Sequence, residues 1–505
     1  MKEWSRILKS AGKYGITYIL LIVVYLFSEK KQWLDNVNRI QLLMQLLIAA
    51  VMGYYMIKMI QPDKTVDSID KTERNYEKIG SLILILGIIM RVGYMLYTPW
   101  YERAHDIGNM DLADSGHASY ILHLFEGKLP GSNSYQFYHP PLFHILSALT
   151  MHIAGFFTGK SNGAELLEVS KIVSCLASCG ALLQIRKFLK ELEIKAETAA
   201  VIMAITAFLP NFYFLAGRIN NDSLVIFFMI MAIRYTYKWC KEQTYVNLIV
   251  LAITYGCGMM TKTSCGTLAV FSGIWMLFVF YKKVKEKKWK PIVLQFIVFG
   301  CISFPLGLWY QIRNLIAFGQ PLNYVHKIEE NSPTYIGMHS AWERFFSLGN
   351  THFWDNVYNN PYGDYHMPSF LIKSSVFGEF TFNIEDIVPR ILLLCNLLLV
   401  ILSLAAMVYI LVKGRCSKKV RFGLFFIWCI QMYSYIFFNI KFPHGCTMDF
   451  RYIVPTAVIG AIYIGLAREQ ITEKNGAVEK VLSGMITVLV MAFSAASIVM
   501  FCNIG

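Results

Sequence analysis

Between Tyr101 and Pro141 the chain reads YERAHDIGNMDLADSGHASYILHLFEGKLPGSNSYQFYHPP, placing Asp106, Asp111 and Asp114 with His105, His117 and His139 directly after an apolar segment. Carboxylates kept at a membrane surface usually serve chemistry. An Asp there is a candidate general base. It can take a proton from an alcohol or amine within hydrogen-bond reach, best when partial desolvation raises its pKa. Asp106 is the first choice, because it sits near the exit of a span and Gly108 lets the backbone turn beside it. As a lone residue it also fits a solvated loop or a helix cap. Asp114 and Ser115 fit the N-cap of a short helix from His117 to Phe125 that ends at Gly127, and Asp111 stays open. In YHPPL, His139 can donate to a phosphate or belong to a rigid proline turn.

Three further polar turns interrupt apolar sequence. In GRINNDSL, Asp222 opens a new span with Arg218 nearby; Asn221 or Asp222 fits an N-cap, and the same residues fit acceptor or metal binding. In MMTKTSCG, Lys262 lies between uncharged spans, where an ammonium is costly unless it snorkels to water or meets an anion. In KFPHGCTMDFRYIVP, Lys441, His444, Asp449 and Arg451 lie between two late spans. The planar fork of Arg451 suits phosphate oxygens, and a structural pair with Asp449 is the alternative.

The elements that must position these residues are membrane helices. The 505 residues are 55% hydrophobic and 16% charged, which excludes an ordinary soluble protein. The net charge of +14 is spread over short loops instead of one basic face, so it reads as topology and not as nucleic-acid binding. The eleven cysteines form no CxxC pair and support neither a zinc site nor a disulfide framework; Cys175 and Cys179, one turn apart, read as packing residues. A span needs about 20 apolar residues. Thirteen candidates start near residues 14, 40, 79, 166, 196, 223, 246, 264, 291, 388, 421, 452 and 480. The first reads as an uncleaved span, since charged residues and no cleavage site follow it.

With the N-terminus cytoplasmic, the inner loops carry the Lys/Arg clusters at 64–78, 186–195, 282–290 and 413–421. This agreement requires Pro141 to Phe157 to lie along the outer surface as an interfacial helix entered through Pro140-Pro141. The outer face then receives two large loops, 98–165 and 313–387, the second an ordered, aromatic-rich segment. The four polar turns all fall on that face.

Taken together, HDIG, GHASYI and QFYHPPL, the Asn-Asp turn, the Thr-Lys turn and the late Arg-Tyr motif resemble the GT-C class of membrane glycosyltransferases. The similarity is to the branch of protein O-mannosyltransferases and aminoarabinose transferases, and it runs from about Ile79 to Pro455. It divides the chain into two extra N-terminal spans (1–78), a catalytic membrane domain (79–467) and a C-terminal span (468–505). It implies a sugar donor on a polyprenyl phosphate, an acceptor on the extracytoplasmic face of the cell membrane, and no nucleotide pocket. Asp106 would be the base by its place in the loop, with Asp111, Asp114 and Asp222 as alternates because the family's paired acidic residues are missing here.

His139 stands where the aminoarabinose branch has a phosphate-contacting lysine. With Tyr138, Lys262 and Arg451 it forms the expected donor-phosphate set; His105, His117, Arg218 and Asp449 are the expected substrate contacts. No cofactor is demanded, although Asp106 and Asp222 could share a divalent ion. The rival from another class is a secondary transporter or flippase of lipid-linked envelope precursors. Transporters place charges near the midplane in repeated halves, whereas the charges here gather at one face and no repeat is visible.

Overall fold

The structure is a computed structural model that describes residues 2–30, 37–60, 68–108, 114–347 and 353–504; Asp111 lies outside the described residues. Among these residues the chain is helical, with one isolated β-bridge between Tyr335 and His444. Eleven helices are long and apolar enough to cross a bilayer. They correspond to eleven of the thirteen segments expected from sequence. The segment near 196 is instead a pair, Ala196–Ala207 and Pro210–Gly217, bent by 64°. The break has a local cause: Pro210 has no N–H to donate, and it disfavours helical backbone at Leu209. The segment near 246 forms the helix Tyr245–Thr261, 17 residues long. The polytopic, all-helical class holds.

The chain forms two compact units. One comprises Met1–Asn36, Met95–Gln184 and Leu215–His326. Its helices Asp222–Lys241, Tyr245–Thr261 and Lys290–Phe318 pack together. A Cβ on Gly307 would lie 3.5 Å from the Cα of Gly256, so two small residues let the last two helices approach closely. Polar side chains inside this bundle satisfy one another: Trp239 Nε1 donates to Gln295 Oε1 at 2.7 Å, and the hydroxyls of Thr236 and Tyr255 each lie 2.6 Å from Ser272 Oγ. Where no water competes, such pairs hold helices together.

In the same unit the helix Leu142–Thr158 starts directly after Pro140-Pro141 and ends on Gly159 with φ +74°. Its polar His144, Ser147 and Thr150 are buried, while Ile145, Leu149, Phe156 and Phe157 are exposed. This inverted amphipathicity suits a helix whose outer face meets lipid.

The second unit comprises Val37–Tyr94, Ile185–Phe214 and Lys327–Gly505. The helices Ile387–Lys413, Val454–Thr472 and Ala477–Asn503 pack together, with Ala196–Ala207 against the last two. Buried Arg91 donates to the carbonyls of Gly87 and Ala207, both at 3.0 Å, and Arg468 meets Glu197 at 2.6 Å. The large loop begins later than expected, because the helix Lys290–Phe318 continues until Gly319 turns it off at φ +65°. Within the loop, Ser340 and Glu343 form a capping box on the short helix Ala341–Phe346. Ile336, Met367, Phe370 and Met448 cluster and anchor the loop to the late turn.

Lys171 was not singled out by its sequence context, yet its side chain is fully buried. Its ammonium meets the Glu168 carboxylate and donates to Met95 O at 2.7 Å and Thr98 O at 2.5 Å, while Glu168 also accepts from Trp100 N at 3.0 Å. The pair thus ties the start of the Tyr101–Pro141 loop to the helix Lys171–Glu191. Lys171→Met should destabilise the protein by about 3 kcal/mol, because it leaves a partly buried carboxylate unpaired. Lys171→Met/Glu168→Gln should recover part of that loss, as read by thermal unfolding in detergent.

Candidate functional site

Asp106 occupies a left-handed turn with φ +58°. Tyr135 Oη donates to its carboxylate at 2.6 Å. The backbone around it closes the start of the next helix: His117 N donates to Asp106 O at 2.8 Å, Ala118 N to Ile107 O at 3.2 Å, and Gly116 N to Tyr135 O at 2.9 Å. Helices begin with N–H groups that lack an internal partner, and here loop carbonyls accept them. Ser115 stands at the N-cap position of Gly116–Phe125 without a side-chain cap bond. Asp114 does not cap the helix either; its carboxylate is exposed and lies 2.7 Å from His123 Nε2.

Two glycines make this arrangement possible. Gly108 and Gly116 have φ +92° and +82°, and a Cβ on Gly116 would fall 2.1 Å from Gly108 N. HDIG and GHASYI are therefore two halves of one backbone contact.

His139 and His117, expected to meet phosphate and substrate, form a stacked column with His144 and Tyr120 in this unit. His139 lies on His117 with centroids 5.8 Å apart, His117 on His144 at 5.1 Å, and His144 on Tyr120 at 4.0 Å. His117 Nδ1 and His144 Nε2 are 2.8 Å apart, so one proton is shared between them. Burial, with His117 beside it, holds the His144 imidazole well below the usual histidine range and therefore neutral. Tyr120 Oη lies 3.0 Å from Tyr310 Oη and 3.2 Å from the His139 carbonyl, and Tyr310 donates to Phe137 O at 2.6 Å. Tyr138 packs on His139 at 4.3 Å.

His139 opens onto a cleft of about 290 Å³ lined also by Tyr138, Thr263, Gln311, Asn314 and Tyr324. The residues from the helix Lys290–Phe318 and the segment after it escaped the sequence reading. Their signal was a polar end, QIRN, on an apolar span. Arg313 donates to Pro130 O at 3.1 Å, and Gln320 bonds Ser132 and Asn133, which fastens the helix end to the early loop.

The Asn-Asp and Thr-Lys turns meet. Lys262 Nζ contacts Asp222 Oδ1 at 2.5 Å, with side chains only 14% and 2% exposed, and Asn221 Nδ2 donates to Thr261 O at 3.2 Å. The expected caps are redistributed: Asn221 stands at the N-cap position, but the Asp222 N–H donates to Asn220 Oδ1 at 2.7 Å. Ser174 Oγ donates to the carbonyl of buried Arg218 at 2.7 Å, holding the turn from below. The anion that lets Lys262 stay out of water is thus a carboxylate of the same unit. Since Thr263 lines the His139 cleft, this pair stands one residue from it.

In the second unit, Asp449 accepts from Arg451 N at 2.7 Å as the N-cap of the short helix Phe450–Ile453, and from Asn211 Nδ2 at 3.0 Å. That is a positioning role for Asp449. Arg451 is buried, donates to Tyr452 Oη at 2.8 Å and stacks 4.9 Å over the same ring. His105, in the first unit, is also buried.

Residues 138–309 match the model of the dolichyl-phosphate-mannose-protein mannosyltransferase family. The match takes in His139, Asp222 and Lys262, and it supports a GT-C-class membrane glycosyltransferase that uses a lipid-linked sugar donor. No curated protein matches the chain.

Gly116→Ala should break the Gly108 contact at a cost of about 1–3 kcal/mol in backbone strain alone, read as faster proteolysis near residue 106 in the folded protein. For the ion pair, Lys262→Met and Asp222→Leu should each destabilise by about 3 kcal/mol, and the double variant by less than the sum. Additive losses in thermal unfolding would show that the two charges do not depend on each other.

Proposed function

We propose that the chain transfers a sugar from a polyprenyl-phosphate donor to an extracytoplasmic acceptor, with Asp106 as general base. The observation that carries the sugar transfer is the family match across 138–309, the stretch that supplies His139, Thr263 and the Asp222–Lys262 pair to one unit; Asp106 lies outside that match, and its assignment as base rests on its own surroundings. An acceptor hydroxyl or amine attacks the anomeric carbon, its proton passes to the Asp106 carboxylate, and the bond from that carbon to the phosphate oxygen breaks. The polyprenyl phosphate leaves with that bond's electrons. It departs as a stable anion, so cationic and N–H contacts on its oxygens lower the barrier most.

Asp106 is preferred over its alternates for physical reasons. Its carboxylate is half-buried and held by a neutral tyrosine hydroxyl, whereas Asp222 is neutralised by an ammonium and Asp114 is exposed. His139 at the cleft would meet the donor phosphate, with Tyr138 packed behind it. Because Lys262 already balances Asp222, the reading routes no step through a divalent ion between Asp106 and Asp222.

The placement follows from charge: a cytoplasmic N-terminus puts the Lys/Arg clusters inside and the catalytic turns outside, in the plasma membrane. Transport of a lipid-linked precursor is the second reading. It would leave the sugar–phosphate bond intact, so release of polyprenyl phosphate from a labelled polyprenyl-phosphate sugar separates the two. Asp106→Asn should lower that release roughly 100- to 10,000-fold while the variant stays folded; near-normal turnover removes Asp106 from the base role. Donor binding should weaken as pH rises between about 5.5 and 8 if a protonated His139 meets the phosphate, and His139→Lys should flatten that profile in a binding titration.

A further inference from the structure

We propose that the cleft beside the helix Met367–Phe377, in the large loop of the second unit, is a saccharide-binding site that holds one sugar ring through its hydroxyls. The cleft measures about 290 Å³ and is lined by Asn359, Asp364, Tyr365, His366, Ser369 and Lys373, among others. None of them takes part in the catalytic reading above.

Two of these side chains are almost wholly withdrawn from solvent and have hydrogen-bonding capacity to spare. Asn359 is 3% exposed; its amide nitrogen donates to Phe370 O at 3.1 Å and Gly378 O at 3.2 Å, and its Oδ1 has no donor among the described residues. Lys373 is 2% exposed and directs one N–H to Asn356 O at 2.8 Å, with the Phe353 ring 5.4 Å away. A buried acceptor without a donor, or a buried ammonium with a single acceptor, is costly. Asp364 lines the same space, and one of its oxygens accepts from Asn360 N at 2.8 Å.

The ligand must therefore donate to Asn359 and Asp364 and accept from Lys373. The smallest group that does both is a hydroxyl, and adjacent hydroxyls are what a sugar ring presents. A phosphate or carboxylate would satisfy Lys373 but face Asp364 and leave the Asn359 oxygen unmet. A peptide N–H would satisfy Asn359 and leave Lys373 wanting. If the chain is a glycosyltransferase, its acceptor is then a glycan; that assignment rests on the functional reading, whereas the binding site does not.

The test is saturation-transfer NMR and titration of the full-length chain in lipid nanodiscs with methyl mannopyranoside and N-acetylglucosamine. Glycerol and a Ser/Thr-rich peptide serve as controls. At least one sugar should bind saturably, and Lys373→Met and Asp364→Asn should each weaken it roughly tenfold, the loss of one charge-assisted hydrogen bond. Donor binding should be unchanged and both variants should stay folded; Lys373→Met also removes the bond to Asn356 O and shifts the thermal midpoint, so sugar affinity is compared at a temperature where each variant is fully folded. The site is overturned if neither sugar saturates, if both variants bind like the parent, or if glycerol or the peptide binds as well. Variant-sensitive binding supports the site even if no sugar transfer is ever detected, while transfer without it overturns the site and leaves the catalytic reading intact.

Discussion

An ammonium or guanidinium withdrawn from water needs an anion or carbonyl oxygens within hydrogen-bond reach, and that requirement organises the polar parts of this chain. Lys262 meets Asp222, Lys171 meets Glu168 and two carbonyls, and Arg91 meets the carbonyls of Gly87 and Ala207. The contacts of Lys262 with Asp222, of Lys171 with Met95 and Thr98, and of Arg91 with Ala207 join segments distant in sequence, while Glu168 and Gly87 lie within about one turn of their partners. The Asp222–Lys262 pair in particular brings two helix junctions together, and the next residue, Thr263, lines the cleft at His139. Such pairs contribute little net stability, yet leaving one member alone is expensive. They act chiefly by selecting one arrangement of the turns.

The loop around Asp106 solves a related problem without charge. A helix that starts at Gly116 must find acceptors for its first N–H groups, and the 106–107 carbonyls supply them only because the Gly108 and Gly116 backbones can touch. The same contact holds the Asp106 side chain at Tyr135. Stability of the helix and orientation of the candidate base thus follow from one steric condition. The histidine column carries the constraint onward, since a neutral His144 must share a proton with His117, whose ring supports His139.

Of the polar residues that drew attention in the sequence, some acquire structural partners. Asp114 pairs with His123 on the surface, and Asp449 caps a short helix. Lys262 was expected to need an anion, and it has one in Asp222. Asn221 keeps the N-cap position of the Asp222 helix but turns its side chain to Thr261 O, and the Asp222 N–H is met instead by Asn220 Oδ1. Gln311, Asn314 and Tyr324 were missed, as they are uncharged residues at or just beyond the short polar end, QIRN, of a long apolar span.

Composition and the spacing of apolar runs determined by themselves that the chain is a polytopic helical membrane protein. They also marked its polar turns, because a bilayer demands about 20 apolar residues per crossing and penalises every charge inside it. The pairing of Gly108 with Gly116 and of Asp222 with Lys262, the break before Pro210, and the order of the stacked histidines were decided only by tertiary structure. Those depend on which segments approach one another, and a partner across the fold leaves no periodic trace in the sequence around either residue.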